Sequence, residues 1–286
     1  MGAMAHDLPD WVAELTDPRR AETLDGLADR LVPLAEHAID VSRRLQAQLN
    51  ELNDPFKREA LYGRVERLKA RAGEALEEIT AEIAASGEER IERVWADWAE
   101  KAGPGERGER ERELRRMLDR DVVPVLSERQ RDVAERVAER TSGALEEATQ
   151  TLLTRVEELA KAVTDLIHDV LPLAREGLAL ASRISALSGQ ARQSGRGPVP
   201  DDLKDAGAET TRAFDEAVAR LELEWAALGA RSATVRAALR GAEESAFSRV
   251  TDEMTRCVEE LAPGHVKALN EAEARARTLF EEPTQG

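Results

Sequence analysis

The sequence predicts an all-α chain folded as an elongated antiparallel bundle of about three long, kinked, coiled-coil-like helices. Three observations carry that expectation. Of the 286 residues, 34% are charged and only 3% aromatic, with Ala, Leu, Glu and Arg dominant; such side chains lose little rotamer freedom in a helix. Apolar residues recur at steps of three and four, which collects them in one stripe along one helix face. Only two strong Gly/Ser/Pro clusters interrupt the pattern, around Gly103 to Gly108 and Ser188 to Pro200. They leave helical segments over 18–101, 106–188 and 202–280 of a single elongated domain, 5–286, with "MGAM" at 1–4 read as a cloning remnant. A shorter four- or five-helix bundle is the alternative, because "NDP" at 53–55 could fold the first segment into a hairpin.

The first stripe runs through Leu24, Leu27, Leu31, Leu34, Ala38, Val41, Leu45, Leu49 and Leu52. At "NDP" Asp54 is an N-cap candidate, with Pro55 in the first helical position. The stripe resumes as Phe56, Leu61, Val65, Leu68, Ala72, Leu76, Ile79, Ile83, Ile91 and Trp98. Beyond "GPGERG" it continues at Leu114, Leu118, Val122 and Val125, and then through Leu145, Ala148, Leu152, Val156, Leu159, Val163, Leu166, Val170, Leu173, Leu180, Ile184 and Leu187. Pro33, Pro124, Pro172 and Pro263 fall in helical contexts, where each removes a backbone hydrogen bond and bends the helix. After the loop at 188–202, Asp201 or Asp202 can cap a helix whose stripe includes Phe214, Val218, Leu221, Trp225, Leu228, Met254 and Val258. A last helical piece follows "APGH" and ends near Phe280.

Charge narrows the function. A formal net charge of -16 repels phosphate backbones and anionic lipid, so nucleic acid is excluded as a partner and an anionic membrane is disfavoured. No run of about 18 apolar residues is present, which, with one cysteine, points to a cytoplasmic protein. An amphipathic stretch with Leu8, Trp11, Val12 and Leu15 on one face carries Asp7, Asp10 and Glu14 opposite. That favours docking on the bundle over lying on a membrane.

Catalytic machinery is sparse. "GPGERG" lacks the Lys-Ser/Thr of a phosphate loop. His6, His37, His168 and His265 are far apart, and Asp165 with His168 makes only two ligands, so no metal or other cofactor is expected. Cys257 falls beside Met254 and Val258 as a packing thiol. Glu doublets such as Glu243 with Glu244 point about 100° apart on a helix and form a solvated face rather than an acid pair.

One stretch departs from the global charge: Lys57, Arg58, Arg64, Arg67, Lys69 and Arg71 stand against Glu59 and Glu66 alone. Lys57, Arg64 and Arg71 recur every seven residues along one edge. This edge either flanks the seam, pairing with carboxylates of a neighbouring helix, or contacts an anionic surface or acidic partner. Arg183, Arg192 and Arg196 lie in a second acid-poor stretch that reads as a linker.

The resulting expectation is a non-enzymatic helical scaffold or protein-interaction module, working as a homodimer through a long coiled-coil-like surface. A membrane-associating, curvature-sensing dimer is the alternative. BAR-type domains are built from three long kinked helices that dimerise, a likeness of inferred shape with no motif behind it. An enzyme with an interhelical site is the second alternative. Trp95 and Trp98, three residues apart before "GPGERG", are expected to be a mostly buried plug at a helix end, followed by an exposed turn.

Overall fold

Leu24–Asn53 forms helix α1, and the side chain of Thr23 caps it by accepting a hydrogen bond from the Gly26 amide at 3.1 Å. A short 3-10 turn, Asp54–Phe56, separates it from α2, Arg58–Lys101. Helix α3 is Glu109–Asp121, α4 is Val123–Gln193 and α5 is Asp201–Glu281. The chain is an all-α helical bundle; its computed structural model describes residues 23–103 and 108–281. The expected remnant at 1–4, the amphipathic stretch around Trp11, and Pro104 to Arg107 of the turn lie outside the described residues.

Several sequence landmarks act differently from their expected roles. Asp54 does not cap α2: its backbone stays helical, closing α1 and opening the 3-10 turn, while Lys57 turns extended before α2 begins. Val122 closes α3 and Pro124 occupies the second residue of α4. A proline there loses nothing, because amides of a first turn lack intrahelical acceptors. Pro33, Pro172 and Pro263 all lie inside continuous helices, so "APGH" does not begin a separate piece. Helix α4 runs past Ser188 to Gln193, and the loop after it turns at Gly195, whose φ of 90° suits a residue without Cβ. Thr23 and Pro198 pair as an isolated bridge, and the Leu24 amide donates to the Gly197 carbonyl at 3.2 Å.

The described chain divides into two compact units, one of residues 23–57 with Glu157–Ala238, the other of Arg58–Val156 with residues 239–281. In the first, α1 runs antiparallel to α4, since Ala28 meets Ser188 and Ser42 meets Gly177. It runs parallel to α5, since Arg30 bonds Thr211 and Arg236 lies 3.8 Å from Glu51. Every residue of the α1 stripe is buried. Opposite it, α4 buries Val170, Ala174, Gly177, Ala181, Ile184, Ser188 and Ala191. Leu173, Leu180 and Leu187 are only half-buried, because the closest approach is made by the small residues rather than the leucines. Trp225, expected in the core, is 40% exposed.

The second unit packs α2, α3, the first part of α4 and the last part of α5. Here α2 runs parallel to α5, with Arg64 against Glu243 and Arg90 against Glu273. It runs antiparallel to α4, with the Gln130 amide on the Ile83 and Ala84 carbonyls at 2.7 and 2.9 Å. The α2 stripe is less covered than that of α1: Leu68, Ala72, Ile83, Gly87 and Val94 are buried, whereas Leu61, Val65, Leu76 and Ile79 stay half-exposed. No described helix is long and apolar enough to cross a membrane.

Candidate functional site

The basic edge is drawn into the second unit by helix periodicity. Arg64, Arg67 and Arg71 are three, four and seven residues apart, so one face of α2 presents all three to α5. Glu243 receives Arg64 in a pair whose side chains are 14% and 22% exposed, and Arg67 lies 3.3 Å from the same carboxylate. Arg71 grips Glu244 with two bonds, 2.9 and 3.1 Å, and stacks its guanidinium 3.9 Å from the Phe247 ring centre. The hydrogen bond from Arg71 holds the Glu244 carboxyl below its usual range, and the same bond raises Arg71. Lys69 pairs with Glu66 at 3.0 Å and Lys57 with Asp54 at 2.7 Å, each on its own stretch of chain. Arg58 is exposed at the start of α2. Three of the six cations therefore serve as the flank of a helix seam, with their charge directed to α5.

Trp95 and Trp98 join a cluster with Phe280, their ring centres 5.2, 5.5 and 5.7 Å apart pairwise. Val94, Leu114, Leu118, Val122 and Ala276 pack around it, and Arg115 covers the Trp95 ring at 4.8 Å. Both tryptophans are mostly buried, as expected, and each keeps only an edge in solvent. Gly108, at the far end of the turn, is exposed.

The nucleophile candidates are occupied or enclosed. Cys257 is buried, its Sγ 4.0 Å from the Arg136 carbonyl. Ser86 Oγ lies 3.0 Å from His265 Nε2, a pairing across 179 residues that nothing in the sequence spacing signalled. That hydroxyl is also 2.7 Å from the Ile83 carbonyl, which competes with the imidazole for its single proton. His265 Nδ1 is buried without a hydrogen bond, and burial lowers the imidazole pKa. Among the described residues no group of three or more His, Cys, Asp or Glu is placed to hold a metal ion.

What does remain open is a groove of about 480 Å³ between α2 and α4, lined from Thr80 to Glu92 on one wall and from Val123 to Ala134 on the other. Its floor is Ile83, Gly87 and Leu126, all buried. Gly87 lets the helices close there: a Cβ would stand 2.9 Å from both the Gln130 amide carbon and Leu126 Cδ2, so those side chains would have to shift. Val123, 37% exposed, and the exposed Ala84 leave apolar surface facing solvent. The sequence showed each wall only as part of a stripe, since a groove arises from the pairing of two helices.

No family model, curated protein or solved structure matches this chain.

Proposed function

We propose that this protein is a non-enzymatic helical scaffold or interaction module, a homodimer that binds a protein partner through long coiled-coil-like helix surfaces. The observation that supports this reading best is the α2/α4 groove, where a buried apolar floor, the exposed Val123 and Ala84, and a charged rim lie between two helices with room for a third. Long helices present side chains in fixed register, the property a scaffold needs.

The membrane alternative draws less support from the same unit. Arg64, Arg67 and Arg71 spend their charge on Glu243 and Glu244, and removing them from those partners would leave carboxylates uncompensated. An interhelical enzyme site draws little from Ser86 and His265, because the Ile83 carbonyl competes for the hydroxyl proton and no third group orients the imidazole, whose Nδ1 has no hydrogen bond.

Affinity capture from the source cell, run in parallel with wild type and Ala84→Arg, tests the scaffold reading. A protein retained by wild type and lost with the variant is the expected result. Identical retained sets would refute a role for this surface. Sedimentation equilibrium tests the dimer, with a mass twice 31.5 kDa expected.

A further inference from the structure

We infer that the occupant of the α2/α4 groove is a cationic amphipathic helix of about three turns, with an apolar stripe flanked by Lys or Arg; this rests on the interaction-module reading above. Length comes from the walls. Thr80 to Glu92 and Val123 to Ala134 each span about 17 Å at 1.5 Å per residue, three turns of a docked helix. Side-chain type comes from the floor, since Ile83, Gly87 and Leu126 offer no polar group to match. The Gln130 amide nitrogen is already committed to two α2 carbonyls.

The sign of the flanking charge comes from the rim. Glu88 and Glu92 stand exposed along the α2 wall. The opposing cation, Arg131, is 3.7 Å from Glu135 in an exposed pair that partly offsets it, and the lining carries two carboxylates against this one cation. The rim is thus net acidic, within a chain of net charge -16. An anionic flank on the incoming helix would meet like charge, whereas Lys or Arg there finds two carboxylates without displacing a buried pair. The α2 basic edge lies elsewhere, turned to α5, so it does not offset this rim.

Two designed peptides of 14 residues test the inference, each with Leu at positions i, i+3, i+4 and i+7, one with Lys and one with Glu at the flanking positions. Fluorescence anisotropy against the full-length protein at low salt should show the Lys peptide binding at least tenfold tighter. That preference should shrink with added salt and reverse in Glu88→Lys/Glu92→Lys. Ala84→Arg, an exposed helical position, should weaken the Lys peptide by at least tenfold with unchanged helical circular dichroism. Equal binding of the two peptides, a charge preference untouched by Glu88→Lys/Glu92→Lys, or no binding by either overturns the cationic occupant. If both peptides bind equally and Ala84→Arg weakens both, the groove remains a docking surface and only the charge assignment falls. If Ala84→Arg changes neither peptide binding nor the captured proteins, the interaction-module reading falls with it.

Discussion

Gly177→Ala is the substitution that probes the first unit most directly. Gly177 is buried on α4 where it crosses α1 and α5. A Cβ built there lands in contact with Ser42 Oγ, closer than atoms tolerate, and 2.7 Å from Leu221 Cδ1. Leucine ends can swing aside, whereas the Ser42 hydroxyl, itself fully buried, must turn to another rotamer inside a packed seam to make room. Overpacking of this kind costs about 1–3 kcal/mol. Replacing glycine by alanine in mid-helix returns roughly 1 kcal/mol of helix propensity. The net expectation is destabilisation of up to about 2 kcal/mol, a fall of a few degrees in Tm for a chain of this size. Ser42→Ala supplies the control. Its hydroxyl is buried without a hydrogen-bond partner, so removing it should be neutral or stabilising by about 1 kcal/mol, and the Ser42 Cβ stands at an ordinary 3.6 Å. In the double variant most of the Gly177→Ala cost should disappear, a coupling of about 1 kcal/mol or more. Urea denaturation followed by helical circular dichroism measures all four corners of the cycle. Stabilisation by Gly177→Ala alone, or strict additivity, would show that α1 and α4 do not approach this closely.

Other predictions concern the polar seams. Glu243→Gln removes the negative charge facing Arg64, whose side chain is 14% exposed, and should cost about 1–3 kcal/mol, whereas Arg67→Ala, at a position 61% exposed, should cost no more than about 0.5 kcal/mol; equal losses in urea titration would contradict this ranking. Burial lowers the His265 pKa, so folding favours the neutral ring and stability should fall as pH drops below the ordinary histidine value of about 6.5. His265→Asn should flatten the stability profile between pH 7 and 5; a profile as steep as wild type would place the effect elsewhere. Hydrogen bonds from Arg90 and then Arg277 hold Glu273 below its usual range, so its contribution is complete above about pH 5 and lost as pH falls through the carboxylate range. Glu273→Gln should therefore be less stable than wild type at pH 7 and closer to it at pH 3. Cys257, being buried, should react with a thiol reagent at least a hundredfold faster in denaturing urea than in the native protein.

Local pattern was enough to determine that the chain is helical and which face of α1 is buried, because a stripe of large apolar residues at steps of three and four can be satisfied in only one way. It was enough to identify the Cys257 thiol as core and to see that Arg64, Arg67 and Arg71 share an edge, since both follow from helix periodicity alone. Tertiary structure decided what those edges face. Glu243 and Glu244, read in sequence as a solvated doublet, are the acceptors of that basic edge, across more than 170 residues. On the inner face of α4, Ile184 was visible in the stripe, but Ala174, Gly177, Ala181, Ser188 and Ala191 were not, because small residues carry a weak hydrophobic signal, yet they are what lets helices close together. Trp225 shows the converse: its size marks it as core, but its position on α5 faces outward and 40% of it stays in solvent. Prolines at 33, 172 and 263 were ambiguous because one missing hydrogen bond is small beside the packing of a long helix. The α2/α4 groove belongs wholly to the tertiary level, since periodicity reports one helix at a time and a groove is a property of the gap between two.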